Sequence, residues 1–268
     1  MIIVSNGGGC AVSLVLDRLS VRIGGRSLVT DVSLAVAGGE AVALLGASGS
    51  GKSLTAAALT GSLPGSVRTS GRLTVSGRDT SLDTRRRLGV AAIRQDSFTS
   101  LHPLVRLDRQ LIPVILRSKN ASTRSAARSL AVSMLEEVGF ADPNRVLSSY
   151  PMELSGGQRQ RVCIVQSLAC RASFLIADEP TTALDVVSQQ LVLSALRRAV
   201  NEGCGVLLIT HDVAAAASLC SRAVVISGGS VVDEGPFDHL ATKNTHPETA
   251  KLMDAAQRTV RREDIAAA

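Results

Sequence analysis

The sequence contains no tryptophan and a single tyrosine, Tyr150, and aromatic residues make up 2% of the chain. That removes the stacking platforms on which proteins hold the bases of single-stranded nucleic acid. No apolar run approaches the roughly 18–20 residues needed to span a bilayer. The longest are short stretches such as 172–177 and 206–209. The first residues have no basic segment and too short an apolar run for a signal peptide. The chain is therefore expected to stay in the cytosol and to meet a membrane only through a partner. The five cysteines (Cys10, Cys163, Cys170, Cys204, Cys220) are odd in number and include no C-x-x-C pair. This argues against a disulfide or zinc framework and for reduced thiols. Cys163 and Cys170 are expected to be small core residues.

The 268 residues suffice for one large domain or for a core with a smaller lobe, and 45% of them are hydrophobic. The net charge of +6 comes from 29 Lys+Arg against 23 Asp+Glu. It is spread along the chain, with small clusters at 85–87 and 258–262, and reads as solvated helix faces rather than as a nucleic-acid patch.

The most informative segment is Gly46-Ala47-Ser48-Gly49-Ser50-Gly51-Lys52-Ser53, a full G-x-x-x-x-G-K-[ST] phosphate loop. The glycines let backbone N–H groups approach an anion without a Cβ in the way. Lys52 is placed to reach the β- and γ-phosphates of a nucleotide, and the Ser53 hydroxyl to ligate Mg²⁺. The flanks fit: 40–45 reads as a buried strand and 54–59 as a helix, so the loop opens onto a helix N-terminus. A second apolar strand, 174–178, ends in Asp178-Glu179. Beside a phosphate loop, Asp178 is expected to organise the Mg²⁺ shell. Glu179, one residue further, is expected to polarise the attacking water as a base. Leu154-Ser155-Gly156-Gly157-Gln158 precedes a helical run, with Ser155 as its N-cap and two glycines exposing backbone donors. That is a second anion-binding helix start.

Along the rest of the chain, 12–23 and 31–36 alternate like half-buried strands around a Gly24-Gly25 turn, and 70–78 and 88–94 read as further strands. From about 97 to 171 the pattern is helical. Ala127, Leu130, Ala131, Met134, Leu135 and Val138 fall on one face of a helix over 122–139, with Gly139 at its end. Strand and helix then alternate again (173–177, 186–201, 205–210, 213–220), followed by a hairpin, 222–227 with 230–234, around Gly228-Gly229.

These motifs, in this order, resemble the ATP-binding subunits of ATP-binding-cassette transporters, over about residues 12–252. Leu154–Gln158 matches the family signature, Gln95 its Q-loop glutamine, Ala183-Leu184-Asp185 its D-loop and His211 its switch histidine. The resemblance implies an α/β fold: a RecA-like phosphate-loop core with an antiparallel β subdomain (1–96 and 172–240), an inserted helical subdomain (97–171) and a C-terminal helical tail (241–268). It implies ATP and Mg²⁺ as cofactors, with Gln95 joining Ser53 and Asp178 around the metal. His211, Lys52 and Glu179 would be the catalytic set. It further implies a head-to-tail dimer with a second, different cassette, in which residues 154–158 serve the partner's ATP. Two membrane permeases and an extracytoplasmic substrate-binding protein would complete the system, with this chain on the cytoplasmic face of the membrane and no nucleic acid involved. One departure stands out. Ile23 occupies the position where members usually stack an aromatic on adenine; it packs on the base without π-stacking, or else it is an ordinary core residue of its strand.

Within the family, 95–103, 150–158 and 245–252 are similar to the peptide and nickel importer group, with Ser97 and His102 as departures. The peptide members usually carry a longer, cysteine-containing C-terminal extension. The stretch 48–58 and Leu63-Pro64-Gly65-Ser66-Val67-Arg68 resemble the shorter nickel-import subunits. The sequence therefore favours a nickel or metal-chelate importer, with a dipeptide or oligopeptide importer as the alternative. A soluble cassette ATPase acting on nucleic acid is disfavoured, because such chains usually carry two cassettes, a long coiled-coil insertion or zinc modules.

Overall fold

A computed structural model describes residues 12–84, 89–96, 100–242 and 246–266, with the side chains of 242 and 257–266 left aside. Cys10, the basic cluster at 85–87 and Ser97 lie outside what is described, as do the side chains of the cluster at 258–262.

Among the described residues, ten strands form two sheets. The first is antiparallel, in the order β2-β1-β4-β5, built from β1 (Ser13–Ile23), β2 (Arg26–Ala37), β4 (Arg68–Val75) and β5 (Arg78–Thr80). The alternation in the sequence placed the second strand at 31–36. The observed strand begins at Arg26, because Ile23 pairs with Arg26 directly across the Gly24-Gly25 turn. The stretch expected as one strand over 70–78 is a hairpin that turns at Gly77.

The second sheet holds β3 (Ala41–Leu45), β6 (Val90–Ile93), β7 (Phe174–Asp178), β8 (Gly205–Ile209), β9 (Arg222–Ser227) and β10 (Ser230–Pro236). Its order is β10-β9-β3-β8-β7-β6, and all neighbours are parallel except the β9–β10 hairpin. Every residue of β3 and β8 is buried, as expected for parallel strands covered on both faces. The two-residue period assigns them to opposite cores. Val42 and Leu44 join α1 (Lys52–Thr60) and the antiparallel sheet. Ala41, Ala43 and Leu45 join α5 (Gly156–Ala169), α6 (Val186–Asn201), α7 (Val213–Leu219) and α9 (Pro247–Ala266).

Between β6 and β7 the described chain runs through helices: α2 (Leu107–Arg117), α3 (Arg124–Glu137), α4 (Pro143–Ser148) and α5, with a 3-10 turn at Pro151–Glu153. They enclose a third core. The expected α3 face is the buried one: Ala127, Ala131, Leu135 and Val138 are sealed, with Leu130 and Met134 packed against them. Cys163 belongs to this core, whereas Cys170 is exposed, because it stands at the C-terminal cap of α5 where the helix leaves the lobe. All four described cysteines are free thiols. Among the described residues no helix is long and apolar enough to cross a membrane. The last helices, α8 (Phe237–Thr242) and α9, return to the parallel sheet, and Asp233 on β10 accepts hydrogen bonds from His246 N and Thr249 Oγ1.

Candidate functional site

Four neighbouring parallel strands deliver the candidate residues at the same edge. The phosphate loop follows β3, Thr210 and His211 follow β8, Asp178 ends β7 with Glu179 next after it, and Gln95 follows β6. Ligands of open α/β sheets bind at this carboxyl edge.

The phosphate loop wraps an ammonium. Lys52 Nζ donates to Gly46 O (2.8 Å) and Ala47 O (2.9 Å), which leaves one of its three donors open. Gly46 could not be replaced: a Cβ there would lie 2.3 Å from Ile226 O and 2.6 Å from Ser50 Oγ. The helix that follows lacks the side-chain cap that α3 to α7 carry. Thr123, Asp142, Ser155, Asp185 and Asp212 cap α3, α4, α5, α6 and α7 with side-chain oxygens. Helix α1 begins at Gly51 (φ 108°) with no side-chain cap and no acidic residue in its first turn. Its first N–H groups have no intrahelical acceptor, so an anion can take them. Ser50 Oγ is also buried without a partner. The loop is held from behind: Gly229 N donates to Ser50 O (3.0 Å), and Thr30 N donates to Gly229 O (2.8 Å).

Ser53, Gln95 and Asp178 line one cavity of about 460 Å³. Asp178 Oδ1 is buried with no hydrogen-bond partner. Burial and then the like charge of Glu179 push the Asp178 carboxyl above the usual aspartate range, against Lys52 and Arg94. Burial likewise pushes Lys52 down, opposed by Glu179 and Asp178. An orphaned carboxylate oxygen beside a hydroxyl and an amide fits a hard divalent cation, which takes oxygen ligands.

Glu179 has φ 49°, a backbone conformation uncommon outside glycine. Its side chain is gripped at both oxygens. Oε1 lies 2.8 Å from His211 Nδ1, and Oε2 accepts from Thr182 Oγ1 (2.8 Å) and Thr210 Oγ1 (3.4 Å). The sequence singled out Glu179 and His211 separately. It gave no sign of the two threonines, although Thr182 lies one turn beyond Glu179 and Thr210 immediately precedes His211.

Residues 154–158 stand apart from this cluster. Ser155 Oγ accepts from Gln158 N (3.2 Å) and Gln158 Oε1 accepts from Ser155 N (2.9 Å), closing a capping box at the start of α5. Gly156 faces open space, and Gly157 packs on Ala183 and Leu184. Asp185 caps α6, and the backbone and side chain of Ser188 hold its carboxyl below the usual range. Gln160, two residues beyond the signature, is buried and donates to Arg94 O and Pro180 O (both 3.4 Å), tying α5 to the segments that carry Gln95 and Glu179. Ile23 is 39% exposed at the turn end of the β1–β2 hairpin, not in the core, so that alternative is overturned. Further along β2, Val29 approaches Gly51 of the phosphate loop.

The sequence model of the ABC transporter family matches residues 29–182, more than half of the chain. The probable D,D-dipeptide transport ATP-binding protein of Escherichia coli K12 is 39% identical, over 85% of this chain and 72% of its own length. The dipeptide transport ATP-binding protein of the same strain is 38% identical, over 90% of this chain and 77% of its own. Its oligopeptide transport ATP-binding protein is 36% identical, over 86% and 70%. Two solved structures share the fold. An ATP-binding subunit of an ABC transporter aligns with a TM-score of 0.75 at 26% identity, over 91% of this chain and 99% of that one. A dimeric ATP-binding cassette in a post-hydrolysis state, bound to ADP and Pi, aligns with a TM-score of 0.72 at 25% identity, over 83% and 98%. With its phosphate loop, the carboxylates of β7 and these relatives together, the chain belongs to the ABC transporter family.

Proposed function

We propose that this chain is the ATP-hydrolysing subunit of an importer for dipeptides or oligopeptides. The observation that carries the reading is the convergence of Lys52, Asp178, Glu179 and His211 on one sheet edge beside an uncapped helix. The phosphate loop and the start of α1 bind the phosphates of ATP, with the open Lys52 donor on the terminal ones. Ser53, Gln95 and Asp178 would hold Mg²⁺, which when bound would supply positive charge against the phosphate oxygens. Glu179 takes a proton from water as the water oxygen bonds to the γ-phosphorus and the bridging oxygen leaves on ADP. His211, bonded to Oε1, fixes the carboxylate. Such charge stabilisation is the main catalytic contribution in phosphoryl transfer.

One phosphate-binding face cannot surround a triphosphate. The start of α5, with Gly156 facing open space, suits the ATP of a second cassette, which makes the working unit a head-to-tail pair. The pair would sit on membrane permeases at the cytoplasmic face, served by an extracytoplasmic substrate-binding protein. The cargo reading rests on the relatives, whose names carry dipeptide or oligopeptide transport; they favour that alternative over the nickel reading of 48–58.

ATP turnover by the purified importer tests the chemistry. Lys52→Ala is expected to abolish hydrolysis, and Glu179→Gln to reduce it by roughly 10²-fold or more while ATP still binds. Near-normal turnover in either variant would remove the corresponding assignment. For the cargo, uptake of labelled dipeptides and of nickel is compared in cells lacking the gene. Loss of nickel uptake alone would reverse the peptide reading.

A further inference from the structure

We propose that Thr182 is a positioning residue for hydrolysis, holding the Glu179 carboxylate in the rotamer that meets the attacking water. The inference rests on the base role given to Glu179 above.

Glu179 leaves β7 with φ 49°, so its side chain starts from a fixed and unusual direction. Three groups then determine where the carboxylate points. His211 Nδ1 holds Oε1 at 2.8 Å, Thr182 Oγ1 holds Oε2 at 2.8 Å and Thr210 Oγ1 reaches Oε2 at 3.4 Å. An ionised carboxylate only accepts, so each contact is a donor bonding to it. It offers about four acceptor positions. With three taken, a single direction remains for the O–H of a water. The threonines thus do two things at once: they stop rotation of the carboxylate and they leave one lone pair free.

The two are not equivalent. Thr210 is buried and its hydroxyl also accepts from Asp212 N (3.0 Å), at the start of α7. Removing it disturbs the helix as well as Glu179. Thr182 is exposed, and its short bond to Oε2 is its one side-chain hydrogen bond among the described residues. It makes the stronger bond and can be altered without opening the core.

The test compares Thr182→Val, which keeps the shape and removes the hydroxyl, with Thr182→Ser, which keeps the hydroxyl, and with Glu179→Gln. Each is made in the assembled importer, with steady-state ATPase kinetics and a melting curve. Thr182→Val is expected to lower kcat by about 5–20-fold, the effect of one lost hydrogen bond to a charged group at an exposed position. KM for ATP and the melting temperature should stay at wild-type values, since Thr182 touches neither the phosphate loop nor a core. Thr182→Ser should restore kcat to within about twofold. A residue with only a folding role would move the melting temperature and would not separate kcat from KM. Wild-type kcat in Thr182→Val beside an inactive Glu179→Gln overturns the Thr182 assignment alone. So does a loss that serine fails to restore. Wild-type turnover in both variants overturns the Glu179 role beneath it.

Discussion

The contact of Gly229 with the phosphate loop offers a sharp perturbation. Gly228 and Gly229 form the turn between β9 and β10, and both have positive φ, 56° and 83°. Their surroundings differ. A Cβ on Gly228 meets nothing within 4 Å, whereas one on Gly229 lies 2.5 Å from Leu28 O and 3.1 Å from Leu28 C. Alanine at either position carries the left-handed penalty, about 1–2 kcal/mol. At Gly229 a backbone oxygen must also move, and overpacking of this kind costs about 1–3 kcal/mol more. Relief requires the turn to retreat from β2, which stretches the Thr30–Gly229 and Gly229–Ser50 bonds that back the phosphate loop. Gly229→Ala is therefore expected to melt lower than Gly228→Ala by about 2–12 °C, taking about 2–4 °C per kcal/mol. It should also weaken ATP binding, while Gly228→Ala binds normally. Thermal unfolding and nucleotide titration on the purified subunit decide this. Equal melting temperatures and equal affinities would mean that the turn slides freely, and that the loop does not depend on it.

Three further outcomes are expected. Ile23→Tyr should tighten ATP binding several-fold, from about 1 kcal/mol of base stacking; since Ile23 is exposed, the melting temperature should hold, and unchanged affinity would place adenine elsewhere. Gly156→Asp fits open space, so the isolated subunit should bind labelled ATP as wild type does while the assembled importer loses hydrolysis; loss of binding in isolation would contradict the paired arrangement. Asp178 holds its proton more tightly folded than unfolded, so its ionisation lowers stability as pH rises through its elevated pKa. Without nucleotide, Asp178→Asn should accordingly melt above wild type at neutral pH, with the gap closing toward the ordinary aspartate range near 4; a gap that is constant with pH would refute this.

Much of this was legible because local chemistry and fold agree. The phosphate loop, the apolar runs of β3, β7 and β8 and the apolar face of α3 each announce themselves within a dozen residues. What escaped the sequence depends on neighbours in space. The first half of β2 is polar and partly exposed, so no alternation marks it; only pairing with β1 makes it a strand. Helix α4, six residues long, is too short for periodicity to mark, and its start is seen only in the cap that Asp142 makes to Arg145 N. Cys170 looks like a core residue until the end of α5 is located. The hold of Thr210 and His211 on Glu179 exists because β7 and β8 lie side by side, an adjacency set by sheet order. The same holds for Gly229, which reads as a turn residue and acts as a support for a loop nearly 180 positions earlier.

The position of β3 sets a timetable for the nascent chain. Ala41 pairs with Val206, and Val42 with Arg222. At synthesis rates of about 5–20 residues per second, those partners leave the ribosome on the order of ten to thirty seconds after β3 does. The helices from α2 to α5 are complete in the interval and need few distant contacts to close their own core, so the lobe is the part able to form first. Throughout that wait β3 is an unpaired apolar strand, the kind of segment that chaperones bind and that aggregates when they do not. Slow-translating codons after Ala169 would prolong the exposure, and moving the chain ends so that β8 and β9 precede β3 would shorten it.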